Sequence, residues 1–158
     1  MQSPHSAQRR VASPIGPLFL TASANGLTGI FWKKQTAPNA GPAPAARVLD
    51  RAERELKSYF AGRLKKFTVP LDPAGTPFQK RVWKELGRIP YGKTSSYKEI
   101  ARRVKNPKAV RAVGSANGRN PLCVIVPCHR VIASDGSIGG YSGGLGIKSK
   151  LLALEAGL

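Results

Sequence analysis

A chain of 158 residues makes one domain or two small ones packed together, and 41% hydrophobic residues suffice for a real core, which excludes a disordered chain. Twenty-six Lys and Arg against eight Asp and Glu give a net charge of +18 and a pI near 10.7. That balance points to a polyanionic partner, nucleic acid before an anionic membrane, with a solvated basic surface as the bland alternative. The longest apolar run, Leu122 to Val126, is five residues and far too short to span a bilayer. Met1-Gln2-Ser3-Pro4-His5 opens no signal peptide, so a cytoplasmic protein is expected. Up to Asp72 there are 11 basic and 4 acidic residues (+7), and beyond it 15 and 4 (+11), so the back of the chain is the more basic.

The first 35 residues read as β structure. Arg10 to Ala12, Leu18 to Ala22 and Leu27 to Trp32 are short apolar or alternating runs, separated by the turn signals Ser13-Pro14-Ile15-Gly16 and Asn25-Gly26. Ala37 to Ala45, rich in Pro, Ala and Gly, is expected as a loop. From Arg47 the spacing turns helical: Val48, Ala52, Leu56 and Tyr59, with Leu49 and Phe60, form one apolar stripe ending at Gly62. Nothing chemical stands in this front module. Phe67 to Leu71 leads out of it.

Thr76-Pro77-Phe78-Gln79 is a helix start: Thr76 can cap, Pro77 suits the first helical position and Gln79 can close a capping box. Phe78, Val82, Trp83, Leu86 and Ile89 make the buried face, and Pro90-Tyr91-Gly92 ends the element. Ser96-Tyr97-Lys98-Glu99 is a second capping box opening a short helix through Val104. Asn106-Pro107 breaks it, and a third helix is expected from Pro107 to about Asn117. Two short helices joined by a tight break have the form of a helix-turn-helix, a pattern also common in plain bundles. In the third helix Val110, Ala112, Val113, Gly114, Ser115 and Ala116 are small, and Arg111 is the one long side chain among them. Such a face can approach another surface closely; the alternative is a tightly packed core helix with Arg111 reaching solvent.

Leu122 to Val126 is expected as a buried strand running into Pro127-Cys128-His129-Arg130. If that run is extended, Cys123 and Cys128 stand roughly 16 Å apart, beyond the ~7 Å that a disulfide tolerates. Unpaired cysteines fit a reducing compartment, and without CxxC or clustered His no metal site is expected. Cysteine attacks as thiolate, and adjacent His, Arg and helix N-termini lower its pKa, so Cys128 beside His129 and Arg130 is a candidate nucleophile. The competing reading is a structural buried cysteine. Beyond it, Gly139, Gly140, Gly143 and Gly144 flank Tyr141 and Ser142 in a loop that lets backbone approach a ligand. It has no Walker spacing. The last helix, about Lys148 to Glu155, is expected to present Leu151, Leu152 and Leu154 to the core. Glu155, the sole acid after Asp135, could orient a histidine.

Taken in order, Thr76-Pro77-Phe78-Gln79, Ile89-Pro90-Tyr91-Gly92, Ser96-Tyr97, Arg111-Ala112-Val113-Gly114, Asn120-Pro121, Pro127-Cys128-His129-Arg130-Val131 and Tyr141-Ser142-Gly143-Gly144-Leu145 resemble the O6-alkylguanine-DNA alkyltransferase family. The resemblance runs from residue 76 to the C-terminus in the family's order and spacing, and covers the front only loosely. It implies an α/β fold: a small N-terminal antiparallel-sheet and helix module (1–72) packed on a mainly helical domain with a helix-turn-helix (73–158). It implies irreversible, single-turnover repair in which Cys128 takes an alkyl group from O6 of guanine, and from O4 of thymine, in double-stranded DNA.

The family roles fall on named positions. His129 is the base acting through a water, Glu155 orients it, and Tyr97 supplies a proton to the leaving guanine. Tyr141, Ser142 and Val131 line the guanine pocket, Lys148 supports it, and Asn120 holds the turn before the active segment. Because O6 lies inside the stack, the nucleotide must be flipped out. Arg111 would enter the stack from the minor groove, with Ala112, Gly114, Ser115 and Ser96 against the DNA. No cofactor and no metal are expected, nor any membrane partner, and the protein is expected as a monomer able to assemble cooperatively on DNA. Cys123 reads as a core residue. Rival readings are a non-catalytic alkyltransferase-like protein, which Cys128 argues against; a transcription factor reading the major groove; and a cysteine hydrolase.

Overall fold

The computed structural model describes residues 6–39, 41–141 and 143–158. The chain divides into two compact units, Met1–Ala74 and Gly75–Leu158. The architecture is α/β.

In the first unit β1 (Ala7–Val11), β2 (Leu18–Ser23) and β3 (Gly26–Phe31) form an antiparallel sheet in the order β1-β2-β3. The β1–β2 turn closes with Gly16 N–H donating to Ser13 O at 3.1 Å, and Gly16 takes a φ of 103° that a side chain would resist. Helix α1 (Ala43–Phe60) covers the sheet with Val48, Leu49, Ala52, Leu56 and Tyr59 buried, as the stripe predicts. It begins inside the expected Pro/Ala/Gly loop. Ala43, Ala45 and Ala46 are strong helix formers, and Pro44 sits in the first turn, where a missing N–H costs nothing.

One buried acid was not visible in the apolar pattern. Glu55 lies on the buried face of α1 and accepts from Thr68 N (2.9 Å), Val69 N (3.0 Å) and Thr68 Oγ1 (2.6 Å). It thereby pins the outgoing strand-like segment, which also bridges β3 through Leu27 N to Pro70 O and Asp72 N to Leu27 O, both 2.8 Å.

The second unit holds α2 (Pro77–Leu86), α3 (Tyr97–Arg103), α4 (Val110–Gly118) and α5 (Leu145–Glu155), with a two-residue parallel pair of β4 (Ser95–Ser96) and β5 (Val131–Ile132). Helix α2 starts with both halves of its capping box made. At α3 only half forms: Ser96 Oγ accepts from Glu99 N at 3.0 Å, while the Glu99 carboxylate turns to Arg102 and Arg103. Helices α2, α3 and α4 pack on one another, and Trp83 Nε1 donates to Ala116 O at 2.8 Å.

Three expectations need correction here. Helix α4 starts at Val110 rather than Pro107, because α3 closes in a Schellman turn first: Asn106 N donates to Ala101 O and Lys105 N to Arg102 O, with Lys105 at φ 62°. Helix α5 starts at Leu145 and buries Lys148, Leu151 and Glu155, whereas Leu152 and Leu154 are only half-buried. The segment Leu122–Val126 is buried but is no strand. It curls into a turn closed by Val126 N to Leu122 O at 2.9 Å, and Val124 is held at φ 77°, a conformation a β-branched residue rarely adopts. The Cys123–Cys128 separation argued from an extended chain therefore does not hold.

Candidate active site

The turn that replaces the strand is held by Asn120. Its Nδ2 donates to Val126 O at 2.8 Å and its Oδ1 accepts from Leu122 N at 2.9 Å, so both ends of the buried turn hang on one side chain. Pro127 follows, and Cys128–Arg130 form a single 3-10 turn, all three residues buried. That turn passes into β5, whose pairing with β4 (Ser95 with Val131, Ser96 with Ile132) sets the start of α3, and hence Tyr97, next to Cys128.

The 3-10 turn sends neighbouring side chains in different directions. His129 and Arg130 both reach Glu155 at the end of α5. His129 Nε2 lies 2.7 Å from Glu155 Oε2, Arg130 Nε donates to Oε1 at 2.7 Å and Arg130 Nη2 to Oε2 at 3.0 Å. The other end of the guanidinium donates to Ile89 O at 2.6 Å and stacks over the Tyr91 ring at 5.7 Å. A carboxylate gripped by a guanidinium can only accept, so Nε2 of His129 carries the proton and Nδ1 is the basic nitrogen. Nδ1 is buried and has no hydrogen-bond partner in the structure. Burial, against the pull of Glu155, holds His129 below its ordinary pKa of 6.5, so the ring is neutral at pH 7 and able to take a proton.

The Cys128 thiol departs from expectation. Its hydrogen bond with the Cys123 thiol and its burial push it well above the ordinary thiol range, while Asn120 and Lys148 pull the other way. The adjacent Arg130, expected to lower it, is spent on Glu155. Cys128 therefore rests as a thiol, and a thiol attacks only once a base has taken its proton. Burial and the neighbouring Cys128 likewise raise Tyr97, which keeps its phenolic proton.

Lys148 is fully buried. Its Nζ donates to Val131 O at 2.7 Å and Gly140 O at 3.1 Å, tying β5 to the glycine loop, and burial lowers its pKa. At Gly139 a Cβ would sit 3.2 Å from the Tyr97 hydroxyl oxygen and 3.5 Å from Lys148 Nζ, so only a glycine leaves these groups undisturbed there. Tyr141 is half-buried on the same loop. Ser142 lies outside the described residues. Lys148 Nζ bonds the carbonyl of Val131, not its side chain.

Two family models match this chain: 6-O-methylguanine DNA methyltransferase, ribonuclease-like domain, over residues 9–73, and 6-O-methylguanine DNA methyltransferase, DNA binding domain, over residues 77–157. The chain belongs to the 6-O-methylguanine DNA methyltransferase family. It is 48% identical to the methylated-DNA–protein-cysteine methyltransferase of Methanosarcina barkeri, over 92% of this chain and 94% of that one, and 49% identical to that of Mycobacterium leprae, over 93% and 90%. Among solved structures it is similar to the Mycobacterium tuberculosis OGT in complex with DNA, with a TM-score of 0.87 at 44% identity, covering 96% of this chain and 93% of that one. This methyltransferase therefore brings together four of its sequence-predicted catalytic residues, Cys128, His129, Glu155 and Tyr97, with Asn120 and Lys148 around them.

The predicted DNA-facing residues of the methyltransferase lie on α4 and at the start of α3, where a Cβ on Gly114 would stand 4.0 Å from the Tyr97 ring. On α4, Arg111, Ala112 and Ser115 are exposed and Gly114 is half-buried, while Val113, Ala116 and Asn117 face the core. Ser96 is engaged as the cap of α3. Arg130, read from the sequence only as a neighbour that lowers the Cys128 pKa, is instead the partner of Glu155. Its signal was its place beside the candidate nucleophile in a basic chain; only the fold reveals that it serves the acid and not the thiol. Among the described residues no helix is long and apolar enough to cross a membrane.

Proposed function

We propose that this methyltransferase repairs alkylated DNA by moving the alkyl group from O6 of guanine, and from O4 of thymine, to Cys128 in a single irreversible turnover. The observation that carries the reading is the buried chain Arg130–Glu155–His129 behind the acceptor thiol, which leaves His129 Nδ1 neutral and unpartnered. His129 draws the Cys128 proton through a water, and the sulfur attacks the alkyl carbon. The carbon–O6 bond breaks as the carbon–sulfur bond forms, and Tyr97 donates its proton to the departing guanine so that no anion leaves. Lys148 steadies the thiolate while it exists, and Asn120 keeps the turn that presents it. Tyr141, Ser142 and Val131 line the base pocket.

The target atom is stacked inside the duplex, so the nucleotide is flipped out at a cost of a few kcal/mol. The exposed small-residue face of α4, with Ala112, Gly114 and Ser115, fits a narrow minor groove, with Arg111 taking the place of the everted base and Ser96 near the backbone. Phosphate contacts supply most of the affinity and little sequence preference. The protein acts as a monomer that can line up on DNA, in the cytoplasm, with the polypeptide itself as acceptor.

Intact mass after mixing with a duplex containing O6-methylguanine tests this. One added methylene, about 14 Da, placed on Cys128 and limited to one per chain, is the expected result. Continued turnover, or a methyl group elsewhere, would overturn it.

A further inference from the structure

Both cysteines of the chain belong to one buried cluster. The turn that corrects the expected strand places Cys123 inside the curl, its sulfur 3.8 Å from Asn120 O. Asn120 Nδ2 holds Val126 O, and Cys128 N donates to that same carbonyl at 2.8 Å, which folds residue 128 back toward residue 123. The Cys123 thiol is the first cause that raises the Cys128 pKa, and each residue is only 3% exposed. Alkyl transfer makes no use of the Cys123 sulfur. A core position would be served as well by any small apolar side chain, yet here a second thiol lies in the same buried turn as Cys128.

We propose that Cys123 is a resolving thiol for Cys128, so that hydrogen peroxide converts the pair to a reversible intramolecular disulfide. The inference rests on the reading above that His129 can deprotonate Cys128. The Cys128 thiolate attacks one peroxide oxygen, and the O–O bond breaks. The departing hydroxide takes up the proton as water, leaving Cys128 as sulfenic acid. The Cys123 sulfur then attacks the Cys128 sulfur. The S–S bond forms, the S–O bond breaks, and the hydroxyl leaves with the Cys123 proton as a second water. Two thiols have lost two electrons and two protons to one peroxide, giving two waters.

Peroxide is small and neutral, so it can reach a sulfur that larger disulfides cannot. The place of both thiols in one turn makes the second step intramolecular, ahead of a second peroxide that would carry Cys128 to the irreversible sulfinic acid. For a protein that spends its acceptor once, over-oxidation is as final as alkylation. The disulfide instead keeps the acceptor recoverable by a dithiol.

The test uses the whole chain treated with hydrogen peroxide, followed by intact mass and by trypsin, which releases both cysteines in the one peptide Asn120–Arg130. The expected result is a loss of about 2 Da in that peptide, loss of methyl transfer to O6-methylguanine duplex, and return of both mass and transfer with dithiothreitol. Cys123→Ser under the same treatment should gain about 32 Da at Cys128 and stay inactive after dithiothreitol. Oxygen gained on wild-type Cys128 without the 2 Da species, disulfides only between chains, or thiols left free would each overturn the proposal. So would full recovery of Cys123→Ser. Methyl transfer by the untreated protein is scored separately, so failure of the repair reading is distinguished from failure of the disulfide.

Discussion

Arg130 shows how one side chain sets the chemistry of two others. Its guanidinium is half of a buried ion pair with Glu155, and the carboxylate so fixed dictates the His129 tautomer. Removing one partner of such a pair strands the other charge, at a cost of about 3–5 kcal/mol. Arg130→Leu should therefore lower the melting temperature sharply, and Arg130→Lys should restore part of the loss. The charge also acts on His129 directly, since burial first, and then Arg130 among the opposing charges, depresses the ring pKa. With the folded value below 6.5, His129 is neutral and stabilising above that pH. Both its stabilising contribution and its basicity are lost as pH falls through the folded value. In Arg130→Lys with a weaker grip on Glu155, the acid limb of the methyl-transfer rate should move to higher pH. An acid limb unmoved in that variant, measured under single-turnover conditions, would remove Arg130 from the proton path.

At the scale of elements, α1 and α4 carry the clearest tests. Burial works against ionisation of Glu55, but the bonds from Thr68 and Val69 outweigh it and bring its pKa below 4.5. A depressed carboxyl stabilises above the unfolded value and loses that contribution as pH falls through the folded one. Glu55→Ala leaves two backbone donors unsatisfied, at about 1–3 kcal/mol each. Urea melts should show that deficit at pH 7 and a smaller one near pH 3. On α4, Arg111→Ala should slow repair in duplex DNA at least tenfold, the scale of about 1.4 kcal/mol, while reaction with a free O6-alkylguanine base changes little. Equal slowing of both substrates would mean that Arg111 supports the fold instead of the flipped duplex.

Over the whole molecule the dominant quantity is the net charge of +18. Binding to an undamaged duplex should lose about a thousandfold or more in affinity between 50 and 200 mM salt, as counterion release requires for six or more phosphate contacts. Alkyl transfer from the free base should be nearly flat over that range, because no phosphate is involved. A titration at several salt concentrations checks both. The elements of the molecule were largely legible beforehand because their signals are local: the three strands and their Gly turns, the α1 stripe and the full capping box at Thr76 all depend on residues within a turn of one another. The misread parts depend on distant partners. Leu122–Val126 has the composition of a strand, yet the Asn120 amide captures its ends and curls it.

The sequence by itself determined the polyanion-seeking charge, the order of the elements and the list of reactive residues, since charge, periodicity and motif spacing are written in the chain. It could not determine where those residues point. The packing of α5 against the 3-10 turn turned Arg130 from the thiol to Glu155. The curl at Val124 put Cys123 and Cys128, remote in an extended chain, into one turn, and burial left Cys128 a thiol. Orientation, contact and desolvation arise only when segments far apart in sequence exclude water together, and the chemistry of this site is made of those three things.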